Sequence, residues 1–311
     1  MSAQSPGPER RALHGVLLLD KPAGLTSNQA LQRVKRLFNA RKAGHTGSLD
    51  PLATGMLPIC FGEATKLTAF LLDARKVYRV SARLGVSTDT GDADGTPTAE
   101  VERSSLDTAQ IDAALAAMIG PIEQTPPMYS ALKRGGKPLY VLARQGIVVP
   151  RQPRTVQIFD ARRLGFDWPM LEFSVRCSKG TYIRTFVEDL ARALRTLGHV
   201  AGLRRLAVEP FEESGMIPLD SLSERGAVGL EALDAALLPV DSALPHWPRL
   251  VVSAEACRRL AQGQAVAAEP SWPEGRVRLY SPEECLVGIG EVSVRRELLP
   301  RRIFPGLGPW C

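Results

Sequence analysis

The segment from Gly44 to Gly55, GHTGSLDPLATG, gathers side chains that could do chemistry into one short loop. His45, Ser48 and Asp50 lie within it, and the flanking glycines allow the backbone to come close to a ligand. A carboxylate held there could act as a nucleophile or as an acid–base group. The structural alternative is that Asp50 and the following proline only begin a short helix. A serine hydrolase is not indicated, because Ser48 stands outside a GxSxG frame.

A second candidate is the run KGTYIRT, from Lys179 to Thr185. It places Tyr182 and Arg184 at the opening of a predicted helix, where free backbone N–H groups point outward. Taken alone, the run is also compatible with a packed tyrosine and a surface arginine.

Three aspartates in the segment TDTGDADG, from Thr88 to Gly95, suggest a calcium loop. Placing Gly95 at the sixth loop position puts Thr90 first and Val101 twelfth, where acidic residues are required. The pattern therefore favours a solvated turn over a metal site.

Basic and aromatic residues alternate between Lys133 and Arg154. Tyr140 lies among the cations there, and Tyr129 shortly precedes them, which is the combination that stacks on bases and binds phosphates. A solvated charged loop is the alternative. The surrounding segment, broken by Pro and Gly, is long for a loop in a compact domain, which indicates a functional insertion or disorder.

The elements around these segments predict an α/β protein. A strand near His14 to Leu19 leads to a helix, for which Thr26 and Gln29 form a capping box. The segment Lys76 to Leu84 alternates as a strand and places Tyr78 on its apolar face. Further elements are a strand over Met56 to Phe61, helices near 63–72, 108–119 and 182–197, and strands near 155–163, 170–177 and 203–208. Short β-like runs at 276–280, 286–289 and 291–294 indicate a β-rich C-terminal domain.

Composition narrows the class of protein. The 311 residues carry a net charge of +6 spread along the chain, which favours a polyanionic partner such as nucleic acid. Five cysteines without a CxxC pair and four histidines give no zinc spacing. Neither a membrane span nor an apolar signal core is present in the sequence, so we expect a cytoplasmic protein with reduced thiols.

Read together, several segments resemble the bacterial tRNA pseudouridine-55 synthases, the TruB family of pseudouridine synthases. The resemblance covers nearly the whole chain, in the order of the family. It is carried by GVLLLDKPAGLTS (15–27), GHTGSLDPLATGMLPICFGEATK (44–66), YRVSARLGVSTDTGDADG (78–95), PPMYSALKRGGKPLYVLARQG (126–146), KGTYIRT (179–185) and HVAGLRRLAV (199–208).

The resemblance implies a role for each matching residue. The nucleophilic aspartate falls on Asp50, and Arg184 is expected to pair with it, since a guanidinium opposes the protonation that burial favours. Tyr78 is implied as the tyrosine that stacks on the base and assists proton loss. Tyr182 and Leu203 are implied in the uridine pocket, and His45 in contact with the flipped nucleotide. The element Lys21-Pro22 is expected to be mainly structural.

The family fold implies an α/β mixed-sheet catalytic domain over 13–248, an RNA-gripping insertion over about 120–153 and a small PUA-like RNA-binding domain over 249–311, after a disordered tail over 1–12. The implied reaction is isomerisation of uridine to pseudouridine at position 55 in the T arm of tRNA, by base flipping. We expect no cofactor, no metal, no obligatory protein partner and no membrane partner. The expected enzyme is a monomer that contacts the T arm and the acceptor stem.

Two alternatives remain at this stage. One is a non-catalytic RNA-binding or tRNA-folding protein that uses the same basic cleft, for which Asp50 would be dispensable. The other is a guide-RNA-dependent pseudouridine synthase, which works inside a ribonucleoprotein. The long insertion and the small C-terminal domain favour the stand-alone enzyme.

Overall fold

The computed structural model describes residues 9–102 and 105–308. Their helices are α1 (Ser27–Leu37), α2 (Thr68–Asp73), α3 (Thr108–Ala117), α4 (Leu139–Ala143), α5 (Ile183–Ala193), α6 (Leu219–Val228), α7 (Leu230–Asp234) and α8 (Ala254–Ala261). Their strands are β1 (Gly15–Lys21), β2 (Ala43–His45), β3 (Thr54–Phe61), β4 (Lys76–Leu84), β5 (Val86–Thr88), β6 (Pro97–Glu100), β7 (Gly120–Gln124), β8 (Lys133–Arg134), β9 (Lys137–Pro138), β10 (Arg154–Asp167), β11 (Met170–Cys177), β12 (Gly198–Val208), β13 (Ile217–Pro218), β14 (Arg249–Val251), β15 (Val266–Ala267), β16 (Gly275–Tyr280), β17 (Leu286–Val292) and β18 (Glu297–Ile303).

The larger sheet is mixed and has the strand order β13-β1-β3-β12-β4-β11-β10-β7, and β2 pairs with β3. The pairs β1–β13 and β3–β12 are parallel, whereas the other pairs in this sheet are antiparallel. The predicted α/β mixed-sheet class is confirmed.

Two local predictions are confirmed by the geometry. The Thr26 side chain accepts a hydrogen bond from the backbone of Gln29, whose side chain accepts one from the backbone of Thr26, so α1 begins with the capping box. In β4 the apolar face is buried, and Tyr78 shares it. The predicted helix near 63–72 is divided, because a 3-10 helix over Gly62–Leu67 precedes α2.

The site is built on one face of the central sheet. Arg205 in β12 lies opposite Tyr78 in β4 and opposite Gly55 in β3, so these three residues share that face. Helix α1 packs on β1 and β3 there, and α3 and α5 pack on β4, β10 and β11. The other face of β1 and β3 carries a separate core, to which the C-terminal residues Ile289 and Phe304 contribute.

The C-terminal region forms its own sheet, with the order β14-β16-β17-β18-β15 and its own core. The prediction of two strands, over 286–289 and 291–294, is wrong, because β17 is continuous. Gly288 and Gly290 do not break the strand but allow a close approach of β18. A Cβ atom at Gly288 would lie 2.3 Å from the carbonyl oxygen of Arg302. Helix α8, capped by Ser253, was not predicted as a helix.

Two of the predicted segments, the N-terminal tail and the insertion, include residues that are ordered in the structure. Residues 1–8 of the predicted disordered tail lie outside the described residues, but Arg11 is held in place. Its backbone N–H donates to the carbonyl of Asn39 and its guanidinium pairs with Asp234, so Arg11 is part of the folded structure. The first five residues of the predicted insertion form β7 at the edge of the central sheet, and the irregular segment follows Gln124. Among the described residues, no helix is long and apolar enough to cross a membrane.

Candidate active site

Asp50 lies in the loop between β2 and β3, and neighbouring elements fix that loop. The Ser27 hydroxyl, in the first turn of α1, accepts a hydrogen bond from the N–H of Leu49 at 2.7 Å and donates to its carbonyl at 3.1 Å. The buried Lys21 ammonium donates to the carbonyl of Leu25 at 2.7 Å and, at 3.4 Å, to that of Pro51. No helix begins at Asp50, so the helix-cap interpretation of this aspartate is wrong.

The structure brings five of the six predicted site residues to one cavity of about 370 Å³. These residues are Asp50, Tyr78, Tyr182, Arg184 and Leu203. They come from one loop, two strands and the start of one helix, so only the folded chain unites them. Other residues of the lining include Leu72, Lys76, Ser130, Leu132, Arg154 and Arg205.

Arg184 is buried and forms the ion pair expected with Asp50. Its Nη2 lies 3.1 Å from Asp50 Oδ2, and its side chain is 6% exposed against 41% for Asp50. The same guanidinium donates to the carbonyls of Thr90 at 3.1 Å and Tyr129 at 2.7 Å. Arg184 is therefore held by fixed acceptors on two further segments, and the carboxylate of Asp50 remains open to the cavity.

The environment of Asp50 works against its ionisation, and the arginine opposes that effect. Desolvation is the largest influence and raises the pKa of Asp50, while the positive charge of Arg184 lowers it. Asp92 adds a negative charge that raises the same pKa, and the more distant Lys21 lowers it. A carboxylate in these surroundings is poorly solvated, which favours reaction with a bound substrate.

The interpretation of the acidic segment as a solvated turn is wrong for Asp92. This residue is buried, and its Oδ2 lies 3.6 Å from Arg184 Nε. Its Oδ1 accepts hydrogen bonds from the Thr90 hydroxyl at 2.6 Å and the Asp94 N–H at 3.2 Å. In the part of the chain that the structure describes, no group of three or more His, Cys, Asp or Glu side chains is arranged to hold a metal. Asp92 is therefore a second carboxylate beside Arg184.

Tyr78 and Leu203 form the apolar wall of the cavity. Leu203 in β12 packs against the buried core that includes Tyr78. Burial raises the pKa of the Tyr78 phenol, which is therefore protonated at neutral pH. This wall suits the face of a flat ring such as a nucleobase.

Tyr182 stands at the N-terminus of α5, on the other side of the cavity. The Gln124 side chain of β7 bonds both backbone groups of Tyr182, accepting from its N–H at 2.9 Å and donating to its carbonyl at 3.2 Å. The guanidinium of Arg154 stacks on the Tyr182 ring, 4.9 Å from its centre. The β7 edge strand therefore positions this tyrosine.

His45, the sixth predicted residue, is not part of the cavity lining. It lies in β2 opposite Ile59, and its Nδ1 atom is buried without a hydrogen-bond partner. Burial lowers the pKa of His45, and the charge of Arg205 lowers it further, so the imidazole is neutral at neutral pH. The structure thus separates His45 from the cluster around Asp50.

Two basic residues of the cavity were missed by the sequence analysis. Arg205 is 1% exposed and donates through Nε to the carbonyl of Met56 at 2.6 Å and through Nη2 to that of Gly47 at 3.1 Å. Lys76 donates to the carbonyls of Leu72 at 2.7 Å and Ala74 at 2.6 Å, and burial lowers its pKa to about 8. The sequence contained one signal for them: Lys76 and Arg205 are basic residues within predicted strands, and each occupies a buried position there.

Models of known families match most of the chain in consecutive pieces. The TruB family pseudouridylate synthase N-terminal domain matches residues 35–183, and the tRNA pseudouridylate synthase B C-terminal domain matches 184–245. A third model, pseudouridine synthase II TruB C-terminal, matches 248–304.

Solved structures share the fold. A chain in the crystal structure of a Cbf5-Nop10-Gar1 complex superposes with a TM-score of 0.73 at 24% identity, covering 96% of this chain and 87% of that one. A chain in the structure of an H/ACA RNP bound to a substrate RNA containing 2'-deoxyuridine gives a TM-score of 0.70 at 22% identity, covering 95% and 88%.

Curated relatives match along almost their whole length. The tRNA pseudouridine synthase B of Stutzerimonas stutzeri is 50% identical over 95% of this chain and 97% of its own. The protein of the same name from Coxiella burnetii is 49% identical over 95% and 96%. With its fold, its cavity and these relatives together, the chain belongs to the TruB family of pseudouridylate synthases.

Proposed function

We propose that this protein isomerises uridine to pseudouridine at position 55, in the T arm of tRNA, with Asp50 as the nucleophile. The observation that carries the proposal is the Asp50–Arg184 pair in a cavity walled by Tyr78 and Leu203. The relatives that share about half of the sequence are named as tRNA pseudouridine synthases, which supports tRNA as the substrate.

The reaction breaks the N1–C1′ glycosidic bond, turns the base and joins C5 to the same sugar carbon. It has no net redox change and loses no group to solvent, so it requires no cofactor and no metal. It does require an ionised carboxylate against the nucleotide. Asp50 supplies this carboxylate, adding to the base or assisting cleavage at the sugar, and Arg184 keeps it ionised despite its desolvation.

The cavity walls have separate tasks in this scheme. Tyr78 stacks on the extruded base and assists loss of the C5 proton, directly or through water. Because its phenol is protonated, it passes its own proton to water as it accepts the proton from C5. Tyr182 and Leu203 close the pocket with apolar surface. The detached uracil is thereby confined while it turns.

A uridine inside the T arm must be flipped out, at a cost of a few kcal/mol. We propose that His45, which lies outside the cavity, contacts the RNA at the position from which the base is flipped out. The segment after Gln124 supplies a grip on the RNA, because Ser130 and Leu132 line the cavity while Lys133, Arg134 and Lys137 are exposed beside it. The PUA-like domain from residue 249 onward is assigned to the acceptor stem.

The test is tritium release from an unmodified tRNA transcript labelled at C5 of uridine, followed by mapping of the modified position. Wild-type protein should release tritium at the T-arm uridine, and Asp50→Asn should release none while binding the RNA with affinity within about threefold of wild type. Asp220→Asn, at an exposed position in α6, is the matched control and should behave as wild type. Turnover by Asp50→Asn at the wild-type rate would refute the assignment of the nucleophile.

The same experiment separates the alternative functions. An RNA-binding or tRNA-folding protein would bind the transcript without release by any variant. A guide-dependent enzyme would release tritium only after addition of a guide ribonucleoprotein, whereas we propose that the purified chain acts alone, as a monomer.

A further inference from the structure

Arg205 occupies a central position in the cavity but has no role in the steps assigned to Asp50, Tyr78 and Arg184. It lies in β12 between Tyr78 of β4 and Gly55 of β3, and it contributes to the cavity lining. Gly55 has a φ of +96°, and a Cβ atom there would lie 2.2 Å from the carbonyl oxygen of Arg205. Only glycine allows this approach. The guanidinium is thus fixed beneath the catalytic loop, donating to Gly47 and Met56.

Among residues 9–102 and 105–308, no carboxylate forms an ion pair with Arg205, whereas the guanidinium of Arg184, which is also buried, contacts both Asp50 and Asp92. Neutral carbonyls satisfy part of the hydrogen bonding of Arg205 but do not cancel its charge. A buried cation without a counter-ion costs free energy, so folding alone does not account for it.

The positive charge of Arg205 contributes a downward shift to the pKa of several titratable groups around it. It lowers the pKa values of Lys21, His45, Lys76 and Tyr78, disfavouring cationic forms and favouring the anionic form of the phenol. The interior of the site is therefore biased toward accepting negative charge. Asp50 does not neutralise the charge of Arg205, because Asp50 forms its ion pair with Arg184.

The proposed reaction generates such a charge. When the N1–C1′ bond breaks, its electron pair stays with the base, which becomes a uracil anion with charge shared among N1, O2 and O4. We infer that Arg205 stabilises this detached uracil anion electrostatically, as a fixed cation at the floor of the cavity. Asp50 displaces the base and holds C1′ as an ester. The uracil anion then attacks C1′ through C5 and displaces the Asp50 carboxylate, after which the C5 proton leaves by way of Tyr78 to water and N1 takes up a proton. This inference rests on the proposed function.

The role can be tested by changing the leaving group. Fluorine at C5 withdraws electrons and stabilises the uracil anion, so a substrate with 5-fluorouridine at the target position depends less on an external cation. We would measure single-turnover consumption of the target nucleoside in T-arm hairpins with uridine or 5-fluorouridine. Variants are Arg205→Gln, which removes the charge, and Arg205→Lys, which retains it. Arg204→Gln is the control, since Arg204 is paired with Asp20 and Glu213.

For Arg205→Gln we expect a loss of about 10²-fold on uridine, comparable to removal of one preorganised stabilising group, and a loss on 5-fluorouridine at least about tenfold smaller. Arg205→Lys should lose less on uridine than Arg205→Gln, and Arg204→Gln should match wild type on both. Equal losses on the two substrates, the pattern of a merely displaced loop, would overturn the inference and leave the proposed function intact. No conversion by wild type would overturn both.

Discussion

The two buried arginines of the cavity differ in their surroundings, although both approach the same substrate space. At the start of α5, Arg184 lies between two carboxylates and two carbonyls. At the floor, Arg205 contacts the carbonyls of Met56 and Gly47. In the proposed mechanism, the compensated cation Arg184 keeps Asp50 ionised, whereas the uncompensated Arg205 stabilises negative charge that arises later on the base. The proposal thus assigns these two tasks to different positions in the cavity.

Replacement of Arg184 by lysine should have the largest effect on the site. The charge is retained, but an ammonium cannot span Asp50, Asp92 and the two carbonyls at once. We expect a loss of about 10²–10³-fold in the single-turnover rate constant, with RNA affinity little changed. A weaker Arg184 contact also raises the pKa of Asp50, so the acidic limb of the pH–rate profile should move to higher pH. A limb that stayed in place would contradict the assigned role.

Asp92→Asn should have a smaller effect on the single-turnover rate constant. This change removes one of the two negative charges that compensate the charge of Arg184. Asp92 forms an ion pair with Arg184 at 3.6 Å, and we expect its removal to lower the single-turnover rate constant at neutral pH by roughly 30-fold, or about 2 kcal/mol. The negative charge of Asp92 raises the pKa of Asp50, so its removal should move the acidic limb to lower pH. Asp94→Asn, at an exposed position, serves as a control and should shift the limb less.

A carboxylate placed beside Arg205 should have the smallest of these three effects. Leu72 lines the cavity, is 44% exposed, and lies near Gly47 on the same side as the Arg205 guanidinium. Leu72→Glu would place a negative charge there without burying it, and we expect about a tenfold loss in the single-turnover rate constant on uridine. Leu72→Gln matches the shape without the charge and should stay within about twofold of wild type. Identical rates for the two variants would show that charge at this end of the cavity is unimportant.

Part of the site could be predicted because the positions of its residues follow from short, local sequence patterns. The alternation of β4 placed Tyr78 on a buried face, and the capping box placed the start of α1, which holds the catalytic loop. The pairing of Arg184 with Asp50 came from the resemblance to the family, and the need for an ionised carboxylate gives the physical reason for it. Periodicity and capping chemistry alone were enough for Tyr78 and the start of α1.

The tertiary structure decided what depends on neighbours distant in the chain. Asp92 is polar and lies in a turn, so its burial against Arg184 could not be read from local sequence. His45 was grouped with Asp50 by proximity in the chain, yet strand pairing with Ile59 keeps it outside the cavity. Arg205 stands beside the similar Arg204, and only the opposite directions of successive side chains in β12 send one to the surface and the other to the floor. Sequence fixes residue types and their local periods, whereas burial and charge compensation arise only when separate strands meet.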